Sequence, residues 1–128
     1  MPAPRQVTLA LLDEIQDTFN RRDVPAIVSH FTDDGIWLMA RGPSEPEGRL
    51  LVGKAAIAEV LADRYRQIPD MRWTEMRHWI CDQTKAISEW TVRGTPIGGK
   101  PFAYLGCDLW EFRDGWVSKK DTYWKYIG

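Results

Sequence analysis

Asp114-Gly115 divides two runs rich in aromatic and β-branched residues, 102–113 and 116–124. No other stretch restricts the fold as tightly. Asp-Gly between such runs predicts a two-residue type I′ turn, because both central residues need φ > 0. That turn sets a register: Arg113 faces Trp116, Phe112 faces Val117, Trp110 faces Lys119, and Asp108 faces Asp121. Opposed side chains share a face of the sheet, with Cβ atoms about 4.5–5.5 Å apart. Two carboxylates so placed repel each other. The face is therefore wet, or bridged by a basic neighbour, or a functional site in which the pair shares one proton. The other face carries Leu105, Cys107, Leu109, Thr122 and Trp124, and is mostly apolar.

Ahead of the hairpin, Leu11, Leu12, Ile15 and Phe19 have helical spacing and predict a first helix over 6–21. A short second helix follows, capped by Asp23 with Pro25 in its first turn and Ile27, Val28 and Phe31 on its apolar side. Asp33-Asp34-Gly35 predicts a turn and Ile36–Met39 a strand. The Gly/Pro-rich stretch 42–48 predicts a surface loop that could lid a cavity. Leu50–Val52 predicts a short strand, and a third helix carries Ile57, Val60, Leu61, Arg64 and Tyr65 up to Ile68-Pro69-Asp70. From Met71 the period becomes two, predicting strands over 71–81, 85–94, 101–112 and 116–126. Helices followed by an antiparallel meander imply an α+β fold with helices on one face of a curved sheet.

The chain of 128 residues reads as one domain, 1–128, large enough for a real core. Its net charge of −1, with both signs interspersed, argues against a nucleic-acid partner. No apolar run reaches the length of a membrane span, and the N-terminus lacks a signal-peptide core. Cys81 and Cys107 have no metal or redox spacing and read as reduced, buried thiols of a cytoplasmic protein. Seven Trp residues are many for this length, and several are expected to line a cavity or an interface.

The order of these segments resembles the nuclear transport factor 2-like superfamily, and within it the SnoaL-like and ketosteroid-isomerase-like domains. The matching stretches are Phe19–Gly35, Gly53–Ile57, Ile68–Asp70, Glu89–Thr95, Gly99–Pro101 and Trp110–Val117. The resemblance implies a cone-shaped domain: a curved antiparallel sheet, mixed at its edge, with three N-terminal helices packed on the concave face. It places a ligand cavity between helices and sheet and a homodimer interface on the convex face. It does not fix the reaction, since the superfamily includes isomerases, dehydratases, hydrolases, cyclases and binding modules.

A tight turn at Asp82–Lys85 would set Ile80 opposite Ile87, His78 opposite Glu89 and Met76 opposite Thr91. By the resemblance, the face carrying Asp108 points into the cavity. His78, Glu89, Thr91, Tyr104, Trp110, Asp121 and Tyr123 then share it, while Trp73, Trp79, Trp90, Val92, Leu105, Cys107, Leu109 and Trp124 lie outside. Asp108 aligns with the isomerase aspartic acid that stays protonated to donate a hydrogen bond. The isomerase tyrosine and base would fall near Ile15 and Met39, and the hydrolase arginine near Gly106, none of which can do that work.

The catalytic candidates are therefore Asp108 as acid or oxyanion donor, with Asp121 or His78 as base and Glu89 beside the imidazole. Trp37, Tyr104, Trp110, Tyr123 and Thr91 are the candidate substrate wall. No residue pattern calls for a cofactor or a metal. The expected activity is cofactor-free acid–base chemistry (isomerisation, dehydration or cyclisation) on a small, mostly apolar, oxygenated molecule. The alternative is a ligand-binding module without turnover.

Overall fold

The computed structural model describes residues 2–125. Helix α1, Leu9–Asn20, starts where the Thr8 hydroxyl accepts the Leu11 N–H at 3.0 Å. Its buried stripe is the predicted Leu11, Leu12, Ile15 and Phe19, joined by Gln16. Asp23 caps α2, Val24–Ser29, with a proline in the first turn. Strands β1, Phe31–Ser44, and β2, Gly48–Val52, form a hairpin before α3, Lys54–Gln67. The meander follows as β3, Arg72–Asp82; β4, Lys85–Gly94; β5, Phe102–Arg113; and β6, Trp116–Trp124. Position 126, the predicted end of the last strand, lies outside the described residues.

The six strands form one sheet in the order β2-β1-β6-β5-β4-β3. Its one parallel pair is β1–β6, one strand in from the β2 edge. The architecture is the expected α+β cone: α1 packs on β3 and α3 on β1, closing the concave side of the curved sheet. Between them lies a core of aromatic rings meeting edge to face, Phe19–Trp73 at 5.6 Å and Trp73–Trp90 at 6.4 Å between centroids.

Strand β1 is longer than the sequence suggests. Asp33-Asp34-Gly35 lies inside it, where its register against β6 shifts between Phe31 and Ile36. Gly42, Pro43 and Ser44 also belong to it, with Ser44 paired to Gly48, so the expected loop is the tip of a hairpin.

Both predicted turns form, but the registers beyond them differ from those expected. Asp114 and Gly115 have φ of 54° and 82°, and Arg113–Trp116 and Phe112–Val117 pair as predicted. The register then shifts, so that Glu111 faces Lys119, Trp110 faces Lys120, and Asp108 faces Thr122. In the β3–β4 hairpin Asp82 faces Lys85, and after a similar shift Ile80 faces Ala86 and His78 faces Ser88. An extra residue beside each turn exchanges the two faces of the pairs that follow it, and in β3–β4 a second shift between Thr74 and Arg77 brings Trp73 inward opposite Val92. Lys120, Thr122 and Trp124 therefore share the concave face with Asp108, and so do Ser88, Trp90 and Val92. Asp121, Tyr123, Glu89 and Thr91 go to the convex side.

Candidate functional site

The interior of the cone holds one polar network. Asp108, at 1% exposure, accepts at both carboxylate oxygens. Lys120 Nζ at 2.8 Å and Thr122 Oγ1 at 2.6 Å donate to Oδ1. Trp90 Nε1 at 2.9 Å and Gln16 Nε2 at 3.3 Å donate to Oδ2. Thr122 Oγ1 in turn accepts from Lys120 Nζ and Trp37 Nε1, each at 2.9 Å, so the hydroxyl is fully engaged. Gly106 makes room for this arrangement. A Cβ there would sit 2.6 Å from the Trp90 ring and 2.5 Å from the Tyr123 carbonyl.

Lys120 is as buried as its partner, at 2% exposure. Its ammonium lies 4.6 Å from the Trp37 centroid, 5.1 Å from that of Phe19 and 5.5 Å from that of Trp110. Burial lowers the Lys120 pKa, and the neighbouring Asp108 charge acts against that. Aromatic faces and one carboxylate together replace the water this ammonium has lost.

A second chain of contacts runs outward from Trp110, whose Nε1 donates to Ser88 Oγ at 2.8 Å. Ser88 Oγ meets His78 Nδ1 at 2.7 Å, and His78 Nε2 meets Asp13 Oδ1 at 3.0 Å. The order Asp–His–Ser is that of a hydrolytic triad, but Ser88 is fully buried and also accepts from Trp110, so no carbonyl can reach it. Burial lowers the His78 pKa, with Asp13 and then Asp108 opposing.

The sequence-derived candidates thus separate. Asp108, Trp37 and Trp110 meet in the interior, and His78 joins them through Ser88. The carboxylate beside His78 is Asp13 of α1 rather than Glu89, which is exposed on the convex face opposite Arg77. Asp121 is also convex, opposite Leu109, and partial burial raises its pKa. Tyr123 stands exposed there, and Thr91 is buried opposite Leu105. Ile15 and Met39 are core residues.

Tyr104 belongs to a different place, a recess of about 410 Å³ at the wide end of the cone between α3, β1 and β5. One wall is a stack: Phe102–Tyr104 at 5.3 Å and Tyr104–Trp124 at 5.4 Å between centroids. Met39, Val60 and Ile68 add apolar surface. Among the described residues, Arg41, Arg49, Arg64, Lys100 and the carboxylate of Asp63 also line the recess. Arg64 lies 5.6 Å from the Trp124 centroid and 5.9 Å from that of Trp37. Arg41 and Arg49 flank the tip of the β1–β2 hairpin, a signal the sequence does contain. Lys120 gives no such signal, because Lys119-Lys120 reads as a solvated pair. Among the described residues no group of His, Cys, Asp and Glu is arranged to hold a metal. No described helix is long and apolar enough to cross a membrane.

The sequence profile of the SnoaL-like domain matches residues 12–119. The chain belongs to the SnoaL-like domain family. Solved structures place this SnoaL-like domain in the nuclear transport factor 2-like, ketosteroid-isomerase-like fold. A protein from Xanthomonas campestris pv. campestris, provisionally named a polyketide cyclase, superposes with a TM-score of 0.78 at 21% identity, over 91% of this chain and 88% of that one. A protein of ketosteroid-isomerase-like fold from Catenulispora acidiphila, solved with trimethylamine, gives 0.77 at 17%, over 91% and 86%. TerC, co-crystallised with polyporic acid, gives 0.74 at 21%, over 91% and 90%. Among curated proteins none matches the sequence.

Proposed function

We propose that this SnoaL-like domain takes a small, flat, oxygenated molecule in the recess at the wide end of the cone and performs cofactor-free acid–base chemistry of the isomerase, dehydratase or cyclase type. The aromatic stack Phe102–Tyr104–Trp124 carries the proposal, since it offers a planar molecule a wall in a recess of about 410 Å³. The polyporic acid and cyclase names attached to similar folds agree with a small-molecule role. In this reading Asp108 and Lys120 are scaffold, because every oxygen of Asp108 already accepts from within the protein. Asp63 is the carboxylate nearest to hand for proton transfer, and cations beside it would hold charge developing on a carbonyl oxygen.

A second reading, binding without turnover, is favoured by the state of Asp63, which already accepts from Arg66 at 3.2 Å and Gln67 at 2.9 Å. Deuterium exchange at the acidic α-carbon of 2-tetralone, followed by NMR, separates the two. Exchange above the buffer rate, lost in Asp63→Asn, supports catalysis. Bound tetralone with no added exchange supports the binding reading. Absence of binding removes both.

We propose a cytoplasmic homodimer through the convex face, where Trp79, Leu105, Leu109 and Tyr123 are exposed together. Of the residues expected there, Trp73, Trp90, Val92 and Trp124 lie on the concave side instead. Leu109→Arg should give a monomer in ultracentrifugation. A wild type already monomeric at micromolar concentration would end the proposal.

A further inference from the structure

On the convex face, one residue from each strand forms a row across the whole sheet: Leu50, Leu38, Asp121, Leu109, Ile87 and Trp79. With neighbouring strands about 4.8 Å apart, the row is about 24 Å long, close to the breadth of a standard protein–protein contact. Leu50, Leu109 and Trp79 are exposed. Asp121 is the charged member of this apolar row. It stands in the middle, between Leu38 and Leu109, and is half-buried. Both flanks of the row carry charges of both signs: Lys119 pairs with Glu111 at 3.6 Å on one side, and Arg77 faces Glu89 on the other. A face patterned in this way complements itself, since a copy turned about a two-fold axis can bring unlike charges together over a shared apolar row.

The titratable groups around Asp121 are Lys119 and Tyr123 on β6, Glu111 and Cys107 on β5, and Lys85 and Cys81 in a hollow of about 250 Å³ beside it. Cys81 is exposed there and Cys107 half-buried, where the sequence suggested two buried thiols. From the β1 side Leu38 faces it, and Asp108 acts on it through the sheet. Partial burial already pushes the Asp121 pKa up, against Lys119 and Tyr123. A second copy laid on the row would take away the remaining water, and an ionised carboxylate so buried is costly. We infer that the charge of Asp121 sets the strength of the dimer: two copies associate along this row with the carboxyl neutral and separate as it ionises. The inference rests on the proposed convex-face dimer and adds its regulation. The dimer holds a proton that the separated chain releases, so association strengthens as pH falls through the range where Asp121 titrates.

The test measures the dimer dissociation constant of the whole chain by sedimentation between about pH 8 and pH 5.5, wherever circular dichroism shows the fold intact. The wild-type constant should fall about tenfold or more from the highest pH to the lowest. Asp121→Asn keeps the shape of the side chain and cannot ionise. It should associate about tenfold more tightly than the wild type at the highest pH and vary little below it. A variant no tighter than the wild type at that pH would overturn the inference and leave the dimer standing, because the ionised carboxylate would then be harmless or paired across the interface. A wild-type constant that does not move with pH would overturn it equally. A wild type that is monomeric at every pH would overturn the dimer and the inference together, whatever the variant does.

Discussion

The Trp37 ring lies near two cations with different surroundings. Lys120, inside the cone, is 4.6 Å from its centroid, and Arg64, at the recess, is 5.9 Å away. Around Lys120 the partners balance: one carboxylate, one hydroxyl and aromatic faces enclose an ammonium with almost no contact with water. Around Arg64 the setting is open: among the described residues, the same recess is lined by Arg41, Arg49, Lys100 and Asp63, all exposed. A closed, matched network holds a structure together, whereas exposed side chains at a rim contribute little to it. The contrast teaches that a charged group in this cone is read by what surrounds it, since aromatic neighbours are common to both places.

The largest expected effect comes from breaking the interior pair. Asp108→Asn leaves the Lys120 ammonium buried without its counter-charge and should cost about 3–5 kcal/mol in urea denaturation. The register read from the sequence, with Asp121 opposite, would have the same substitution neutral or stabilising near pH 7, so the measurement discriminates between the two arrangements. Adding Lys120→Met to Asp108→Asn should recover part of the loss. If it does not, the two side chains are not coupled as the 2.8 Å contact implies.

Gly106→Ala comes next. The added methyl would press on the Trp90 ring, the group that holds Asp108 from the other side, and should cost about 1–3 kcal/mol. An unchanged melting temperature would show that the Trp90–Asp108 contact yields easily.

A change of pH probes the histidines that flank the interior. His30 is buried and its Nδ1 accepts from Arg5 Nη1 at 3.1 Å, because a guanidinium has only donors. Burial first, and Arg5 second, lower its pKa; burial lowers that of His78 too. Both folded values thus fall below the unfolded imidazole value of ~6.5. As pH falls the unfolded chain takes up protons first. The stability from these groups is therefore complete above pH ~6.5 and is lost as pH falls through the folded values. Melting temperatures flat from pH 8 to 6.5 and falling toward pH 5 are expected. His30→Gln should remove part of the slope.

The smallest effect on stability belongs to the recess. Arg49→Gln/Lys100→Gln should change unfolding free energy by no more than about 0.5 kcal/mol, since both side chains are exposed. A large loss would mean the rim cations also hold the fold, and the contrast between interior and rim would fail.

Much of the fold was legible in the sequence. The stripe of α1, the Asp23 cap, the Asp114-Gly115 turn and the period-two runs of β3 to β6 all lie where local pattern puts them. Less of the candidate site was legible. Asp108, His78 and Trp110 were placed on the inner face, but Asp121, Glu89, Thr91 and Tyr123 were placed there only by unbroken alternation from two turns. Each turn is followed by a bulge. The one in β5–β6 turns Lys120 inward, where Asp108, Thr122, Trp37 and Gln16, from distant elements, together make a place for an ammonium.

By itself, then, the sequence determined most of the elements, their order, the two turns and the α+β class, with the cone implied by the family resemblance, because helix stripes, caps and positive-φ turn residues act over a few residues along the chain. Only the tertiary structure decided which face each strand turns inward beyond its turn. A one-residue slip leaves the local chemistry nearly unchanged and exchanges every side chain between core and solvent. Which set goes inside is settled by whether the buried polar atoms find partners. Here those partners come from α1, β1, β4 and β5, brought together only once the sheet has curved around them.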